Sequence, residues 1–513
     1  MISATVQAKL QYRDYTFLGT TQSLCPDCLG LVPAKIVERN GRVYFRKQCA
    51  THGPREDFVC SDARWFDRTD YSLPGKLPRQ FGTAADRGCP YDCGLCSEHE
   101  QHTCIGLIEI NSACNLQCPI CFAASGPQGT HLSVPDCCRA IDRLVEVEGQ
   151  PEIVQLSGGE PTIHPQFLEI CRYACEQPID IVMINTNGIR LAHDRELVQQ
   201  LAELRHRLEI YLQMDGFSDD GCRTLRGESL VQTKLRAIEV LGEAGLRTTL
   251  VCTVQTDVNE HELGRLVQFG TQRPWITGVS FQPATYCGRF VLPDQLERRV
   301  TFPDIVQGIS QQTDGEWLES DFSPLPCAHP NAHSLAYAYR HGDQLLPLAR
   351  FVDLENHLDL LSGRITFNRE RARQLIGQYL SRLSCGSAGC SDDGQDAAMP
   401  ASRQRAVKGA SRPALDPQQE NAAEEFFERA LTEDLAPEDV FRITTTSFMD
   451  AYNFDVRQLM KSCVHHILPS GHVIPFSAYN VLYRDGHVSL PILSPTSTPT
   501  PIFTPTSIPT STA

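Results

Sequence analysis

Three cysteines in the segment ACNLQCPICFA have the type and spacing of a metal-cluster loop. Cys114, Cys118 and Cys121 follow a C-x3-C-x2-C pattern, which brings three thiols together on a short loop. A structural metal ion or a saturated iron–sulfur cluster ordinarily takes four protein ligands. A four-iron cluster held by only three thiolates leaves one iron open to an outside ligand. The motif therefore predicts a catalytic cluster that binds a small molecule directly.

A second cysteine-rich segment lies just upstream. Cys89, Cys93 and Cys96 repeat the C-x3-C-x2-C spacing, and Cys104 follows them. With Cys104 as a fourth thiolate, the segment predicts a saturated auxiliary four-iron cluster, which would pass electrons or order the entrance to the domain that follows. Zinc is the alternative metal for four thiolates.

Two short knuckles near the N-terminus predict a mononuclear metal site. They flank a segment whose central Asn40-Gly41 pair favours a tight type I′ hairpin turn, so both can close on one ion. Three thiolates and an imidazole suit zinc, whereas Cys60 in place of His52 would give a rubredoxin-like iron site. The residues alone allow either zinc or iron at this site. The predicted ligands are Cys25, Cys28, Cys49 and His52.

Composition limits the class of protein. The chain has 513 residues, 41% of them hydrophobic, which is enough for more than one core. Its formal net charge of -16 argues against nucleic acid as a partner, because phosphate binding depends on clustered Lys and Arg. We find no apolar run of membrane-spanning length and no signal peptide, so we expect a cytoplasmic protein without a membrane span. In a reducing compartment, 22 cysteines indicate metals or clusters rather than disulfides.

Between about residues 105 and 300, short apolar segments alternate with amphipathic ones. The segments DRELVQQLAEL and TKLRAIEVLGEAG carry apolar residues at helical spacing. Six strand–helix units in succession predict an α/β fold, a parallel sheet closed into a partial or complete barrel with its chemistry at the C-terminal strand ends. The predicted strands are IGLIEI, EIVQLS, IDIVMIN, LEIYLQMD, TTLVCTV and ITGVSFQ.

Polar residues follow three of these strands, at the edge where the cluster loop also lies. Glycines permit close backbone approach, and a carboxylate accepts hydrogen bonds from a cationic amine. Amides and a further carboxylate suit ribose hydroxyls or a substrate, although Asn187-Gly188 is also typical of an ordinary turn. The predicted cofactor-binding residues are Gly158, Gly159, Glu160, Asn187, Gln213 and Asp215.

The cluster loop and the SGGEPT segment together resemble the radical S-adenosylmethionine (SAM) superfamily. The resemblance implies that the open iron takes the amino and carboxylate groups of SAM, that Gly158 and Gly159 let the backbone approach SAM, and that Glu160 accepts from its ammonium group. It also implies that an electron, from a donor such as ferredoxin or flavodoxin, cleaves SAM to a 5′-deoxyadenosyl radical that abstracts hydrogen from carbon.

The order of the motifs along the chain indicates a particular group within the superfamily. CPDC and CATHG, then GCPYDCGLCSEHEQHTC, then CNLQCPICFA resemble the tetraether lipid synthase group and related radical SAM methyltransferases, some of which draw a one-carbon unit from a folate-like pterin. This implies a partial (β/α)6 radical SAM barrel with a small N-terminal metal-knuckle domain and a C-terminal, cluster-type extension.

The predicted domain organisation has seven parts. These are a metal domain at 1–66, an auxiliary iron–sulfur segment at 67–104, a radical SAM core at 105–300, an extension of the core at 301–385, a disordered linker at 386–423, a C-terminal subdomain at 424–490 and a disordered Pro/Thr/Ser tail at 491–513.

A further auxiliary cluster in the C-terminal half is expected in that group. Cys327 and Cys463 match it, but Ala332 and Ser477 stand where cysteines are expected, so the ligand set is incomplete. Candidate substitutes are Cys287, Cys385, Cys390, His329 and His333.

Three functions are consistent with these motifs. In the first, the substrate radical gains a one-carbon unit or couples to a second alkyl chain, and the substrate is apolar and lipid-like. In the second, a radical SAM enzyme modifies a peptide or a small polar metabolite. In the third, the protein is a non-enzymatic electron carrier, which the three-thiolate loop and the SGGE segment disfavour. Formation of 5′-deoxyadenosine from SAM distinguishes the enzymes from the carrier.

Overall fold

An antiparallel sheet of four strands forms the N-terminal metal domain in the computed structural model, which describes residues 13–342, 344–361, 365, 369–385 and 415–494. Asn40 and Gly41 both have positive φ, 53° and 76°, so the predicted type I′ hairpin turn is confirmed. Ile36, Phe45 and Phe58 fill the core of the sheet. The strands are β1 (Thr16–Leu24), β2 (Leu31–Arg39), β3 (Arg42–Cys49) and β4 (Gly53–Cys60).

Six parallel strands form the centre of the second, larger sheet, as predicted. They follow one another in chain order, because each is joined to the next by a crossover that contains helix. The strands are β5 (Ile105–Asn111), β6 (Ile153–Gly158), β7 (Ile181–Thr186), β8 (Leu208–Gln213), β9 (Thr248–Val254) and β10 (Ile276–Pro283).

Helices of the crossovers pack against this sheet. In α1, Ser133 caps the N-terminus by accepting from the Asp136 amide, and Leu144 packs against Gly106 of β5, where a Cβ would lie 2.6 Å from the leucine methyl. No helix in the described ranges has the length and apolar character needed to cross a membrane. Those of the core are α1 (Val134–Glu148), α2 (Phe167–Glu176), α3 (Ile189–His193), α4 (Arg195–Ala202), α5 (Asp219–Arg226), α6 (Val231–Glu243), α7 (Leu263–Thr271) and α8 (Phe302–Gln312).

The chain beyond the core adds strands to both edges of the large sheet. Residues 440–446 pair in parallel with β10, and residues 464–467 pair in parallel with β5. The predicted C-terminal subdomain at 424–490 thus contributes to the main sheet. The elements are β11 (Ser323–Pro324), β12 (His333–His341), β13 (Gln344–Pro347), α9 (Arg369–Cys385), α10 (Pro417–Leu431), β14 (Val440–Thr446), α11 (Val456–Met460), β15 (Val464–Ile467), β16 (Val473–Pro475) and α12 (Phe476–Ala478).

The linker and the tail are predictions that fall largely outside the described residues. Residues 386–414 of the linker and 495–513 of the tail are not among them, and α10 begins at Pro417, inside the predicted linker. Asp416 explains this start, since its carboxylate accepts from the Gln418 and Gln419 amides and Pro417 occupies the first helical position. The other domain boundaries stay predictions.

Candidate active site and metal centres

The cluster loop follows β5 and is fastened by one arginine. Cys114 and Cys118 are each 8% exposed, and Cys121 is half-buried. Arg289 donates to the carbonyls of Cys118 (2.9 Å), Ala124 (2.8 Å) and Ser125 (2.5 Å). Its backbone also exchanges two hydrogen bonds with Cys121, at 2.8 and 2.9 Å. These hydrogen bonds thus help to hold the shape of the loop.

Gly158 and Gly159 allow the end of β6 to approach the start of the cluster loop. A Cβ on Gly158 would lie 2.1 Å from the Asn111 carbonyl oxygen, and one on Gly159 would lie 2.1 Å from that of Ala113. The Gly159 amide donates to Asn111 (2.9 Å), and the Glu160 amide donates to Ala113 (2.9 Å). The immediate reason for the glycines is therefore contact between two backbone segments of the site.

Glu160 is a buried carboxylate with four protein donors. It accepts from the Thr162 amide (3.1 Å) and hydroxyl (2.6 Å), from the Thr186 hydroxyl (2.7 Å) and from the Asn187 amide (2.7 Å). Burial raises the pKa of Glu160, and these hydrogen bonds oppose the rise. The network fixes the carboxylate at the cavity wall and joins the ends of β6 and β7.

Asn187 and Gln213 lie on the same cavity wall as the three cysteines. Asn187 accepts from the Ile189 amide (3.0 Å), as in a turn, and donates to Asn115 of the cluster loop (2.7 Å). Both interpretations of the Asn187-Gly188 pair are therefore compatible with the structure. Among the described residues, no donor reaches the buried Gln213 Oε1, which leaves an acceptor for a bound hydroxyl or N–H group.

Asp215 lies behind the cavity wall, away from the rim position predicted for it. It forms a bidentate ion pair with Arg226 (2.7 and 2.6 Å), whose guanidinium lines the cavity in its place. Burial opposes ionisation, but Arg226 holds the pKa of Asp215 below its usual value. The sequence motif identified the carboxylate but not its partner, eleven residues along the chain. Asp215 is therefore a positioning residue for Arg226.

The cavity that these residues enclose has two kinds of wall. Its volume is about 220 Å³. Its lining includes uncharged hydrogen-bonding side chains, a few charged ones, and three phenylalanines, Phe122, Phe448 and Phe476. Three thiols, an acceptor at Gln213 and a carboxylate at Glu160 form a donor set that suits a three-thiolate four-iron cluster with SAM beside it.

The N-terminal knuckles converge as predicted. The ligand atoms of all four predicted residues lie within 4.8 Å of one another. Tetrahedral zinc with ordinary bond lengths separates two thiolates by about 3.8 Å and a thiolate and an imidazole nitrogen by about 3.5 Å. Cys28 and Cys49 are 3.9 Å apart, and His52 Nδ1 lies 3.5 Å from Cys25 Sγ and 3.6 Å from Cys49 Sγ. Cys60 instead contacts the Asp62 carbonyl, so the iron site that required it is not supported.

Cys104 does not join the upstream cysteines, so that prediction was wrong. Cys89, Cys93 and Cys96 border one small cavity, which His99 also lines and Cys104 does not. Cys104 directly precedes β5, and its amide donates to the Cys463 carbonyl at 2.9 Å. This backbone pairing with the start of β15 places Cys104 beside Cys463. Among the described residues, the thiols that border the upstream cavity are those of Cys89, Cys93 and Cys96.

Cys104 instead meets the cysteines expected to form a third cluster. Its thiol lies within hydrogen-bonding reach of Cys327 and Cys463. Cys463 Sγ is 3.6 Å from His333 Nε2, and Ala332 packs in the same cluster. Of the other proposed substitutes, His329 lies near Asp67, and Cys287 packs with Cys93 and Leu24. The side chain of Cys385 and all of Cys390 lie outside the described residues.

Two family models match the chain. Residues 108–270 match the Radical SAM superfamily, and residues 17–61 match the HMPTM N-terminal zinc ribbon domain. The zinc ribbon model covers all four converging knuckle ligands.

The 7,8-dihydro-6-hydroxymethylpterin dimethyltransferase of Methanocaldococcus jannaschii is 30% identical over 495 residues, covering 90% of this chain and 94% of the relative. The mycofactocin maturase MftC of Mycobacterium ulcerans is 32% identical over 31% of this chain and 42% of its own length. The GTP 3′,8-cyclase of Synechocystis is 27% identical over 34% of this chain and 52% of its own length.

Among solved structures, SuiB of Streptococcus suis is similar over 42% of this chain and 46% of its own, with 17% identity and a TM-score of 0.35. The similarity to the methyltransferase covers 90% of this chain. The chain therefore belongs to the radical SAM superfamily, as an enzyme that uses a four-iron cluster and SAM.

Proposed function

We propose that this protein is a radical SAM methyltransferase that acts on a reduced pterin or a closely similar planar heterocycle. The full-length similarity to an enzyme named for that substrate supports the proposal. The observation that carries it is the lining of the active-site cavity, which combines uncharged hydrogen-bonding side chains with a set of aromatic rings. A reduced pterin thus replaces the lipid-like substrate, which we expected from the motifs, as the leading candidate.

The polar wall suits the edge of a heterocycle. Tyr211 donates to Ser280 Oγ (2.8 Å) and accepts from Gln282 Nε2 (3.1 Å), while Asn185 Nδ2 donates to Ser157 Oγ (3.1 Å). These contacts fix hydroxyls and amides that offer both donors and acceptors without formal charge. A pterin ring presents alternating N–H, nitrogen and carbonyl groups along one edge, which such a wall can bind.

The aromatic part of the lining suits the face of a heterocycle. Phe448 and Phe476 stack with ring centroids 3.8 Å apart, and Phe122 lies 5.0 Å from Phe476. Their rings supply a broad apolar surface on which a planar ligand can pack. A flat polar ligand can use both this surface and the hydrogen-bonding side chains of the same cavity.

The residues have separable roles in this proposal. When bound, the cluster supplies the electron that cleaves SAM and so provides a radical for hydrogen abstraction. Cys114, Cys118 and Cys121 hold the cluster, and Glu160 accepts from the SAM ammonium group. Asn187 and Gln213 bind the ribose or the substrate, and Arg226 adds a buried positive charge beside Cys118.

The auxiliary centre at Cys89, Cys93 and Cys96 is proposed to be a four-iron cluster that carries electrons. A ferredoxin or flavodoxin is the proposed external reductant. The cytoplasm is the proposed location, since 22 thiols and reducible clusters suit a reducing compartment.

The test is an anaerobic assay with reconstituted protein, reductant, SAM, a methylene-carrying reduced folate as the source of the one-carbon unit, and 7,8-dihydro-6-hydroxymethylpterin. We expect 5′-deoxyadenosine and a pterin product that carries one or two added methyl groups. Gln282→Leu should raise the KM for the pterin at least about tenfold, which corresponds to loss of ~1.4 kcal/mol of binding. Gln268→Leu, on the exposed face of α7, is the matched control and should change nothing. An unmodified pterin in the presence of active SAM cleavage would refute the proposed substrate.

A second candidate is an apolar chain as substrate, and a second cavity favours it. This cavity, of about 580 Å³, adjoins the first at Leu335, Tyr337 and Arg442. Its wall is largely apolar and includes Leu348, Val352, Leu354, Leu375 and Ile376. Incubation with lipid extract carrying deuterated alkyl chains tests it. Deuterium in 5′-deoxyadenosine would support a lipid substrate, and deuterium-free product would exclude it.

A further inference from the structure

A compact group of metal-binding side chains lies at the opposite strand ends from the catalytic loop. His102, Cys104 and Glu152 are at most 1% exposed, and their ligand atoms all lie within 4.8 Å of one another. Cys104 precedes β5 and Glu152 precedes β6, whereas the catalytic loop follows β5. The seven residues of β5 put the two sites about 20 Å apart along the strand.

The interatomic distances resemble those around one tetrahedral ion. With ordinary zinc bond lengths, a thiolate and an imidazole nitrogen lie about 3.5 Å apart, and an imidazole nitrogen and a carboxylate oxygen lie about 3.4 Å apart. Cys104 Sγ is 3.6 Å from His102 Nε2, and Glu152 Oε1 is 3.8 Å from the same nitrogen. A shift of a few tenths of an ångström in these side chains would bring the ligand atoms to the distances of a tetrahedral zinc site.

Glu148 orients the imidazole for this role. Its Oε2 lies 3.0 Å from His102 Nδ1, and its Oε1 accepts from the Thr103 amide at 2.7 Å. A carboxylate is an acceptor, so Nδ1 carries the hydrogen and Nε2 presents its lone pair towards Cys104 and Glu152. A carboxylate behind a ligating histidine is the usual second layer of a protein zinc site.

We propose that His102 Nε2, Cys104 Sγ and Glu152 Oε1 bind a single structural zinc ion. Cys327 and Cys463 both approach Cys104, so one of their thiolates is the fourth ligand. The mixed set of sulfur, nitrogen and oxygen donors suits zinc, whereas a four-iron cluster takes mainly thiolates.

The ion would join three elements that carry the active site. Glu148 ends α1, and Cys104 and Glu152 directly precede the first two parallel strands. Zinc binding would therefore fix the register between β5 and β6, whose other ends hold the cluster loop and the glycine-rich segment. The role of this zinc ion is structural. The unfolded chain lacks the site, so the free energy of zinc binding adds to the free energy of unfolding.

Metal analysis of the full-length protein tests this inference independently of the substrate. We expect His102→Ala and Glu152→Gln each to remove one zinc per chain and leave iron and acid-labile sulfide unchanged. Cys137→Ala, which alters a buried thiol on α1, is the matched control and should keep all the zinc. Loss of iron and sulfide in both variants, with zinc unchanged, would show that an iron–sulfur cluster occupies the site and would overturn the proposal.

Cobalt substitution provides a second readout that does not depend on stability. Wild-type protein loaded with Co²⁺ should show sulfur-to-cobalt charge-transfer absorption from this site in addition to that of the knuckles. Glu152→Gln preserves the size of the side chain, and it should lose the visible bands of one cobalt, as His102→Ala should. Spectra identical to wild type in both Glu152→Gln and His102→Ala would refute the metal site.

Discussion

Replacing Gly159 by alanine should separate the glycine-rich segment from the cluster loop. The new Cβ would lie 2.1 Å from the Ala113 carbonyl oxygen and 2.5 Å from its carbon, both backbone atoms that no side-chain rotation can relieve. Ordinary van der Waals contact therefore requires the segments to part by more than roughly 1 Å. That movement breaks the two 2.9 Å hydrogen bonds from Gly159 and Glu160 to the loop.

The expected consequence is a defect in SAM use with the cluster retained. Two lost hydrogen bonds cost about 1–3 kcal/mol, and a misplacement of 1 Å near reacting groups can cost about a hundredfold in rate. We therefore expect kcat/KM for SAM cleavage to fall about a hundredfold, or ~2.7 kcal/mol in barrier.

The assay is formation of 5′-deoxyadenosine, with iron and sulfide counted in the same sample. Gly126→Ala is the matched control, because Gly126 lies in the same loop and a Cβ there meets no atom within 4 Å. It should retain activity within about twofold, an effect smaller than one hydrogen bond. Equal activity of the two variants would refute the steric argument.

Three further predictions concern the metal centres. Arg289→Ala removes three hydrogen bonds to the carbonyls of the cluster loop and should lower iron retention in the catalytic site. Arg289→Lys keeps the positive charge but not the planar set of donors, so it should restore iron retention only in part. Cys118→Ala should abolish SAM cleavage, whereas Cys93→Ala should retain cleavage and impair turnover or folding; equal loss of cleavage in both would contradict the division of roles. Cys28→Ala should release one zinc and destabilise the metal domain, whereas Cys60→Ala should keep the zinc, and metal content with thermal unfolding checks both.

The parallel core could be predicted because its signals are local. Each strand is a short apolar run such as Leu208–Gln213, and each crossover carries helical periodicity, so short windows of sequence suffice. The type I′ turn at Asn40-Gly41 and the four knuckle ligands were predictable for the same reason, since spacing and turn chemistry act within a few residues. By contrast, β14 and β15 join the sheet across long stretches of chain, and no local pattern specifies their partners.

The same distinction holds in the site. The spacing in sequence predicted that Cys104 joins the upstream cysteines. In the structure, the position of the Cys104 thiol depends on a backbone hydrogen bond to Cys463, which is distant in sequence. Arg226 and Arg289 were missed because a lone arginine in sequence gives no sign of burial. Arg226 is identified only by its ion pair with Asp215, and Arg289 only by the carbonyls that it contacts. Long-range contacts thus define the charged lining that local motifs leave undetermined.

The central claim is that three thiolates leave one iron of the catalytic cluster open to SAM. Electron–nuclear double resonance on the reduced protein with SAM labelled at its amino nitrogen and carboxylate oxygen tests this most directly. We predict hyperfine coupling of both labels to the cluster, preserved in Cys93→Ala. A reduced cluster whose spectrum does not respond to labelled SAM would contradict the account.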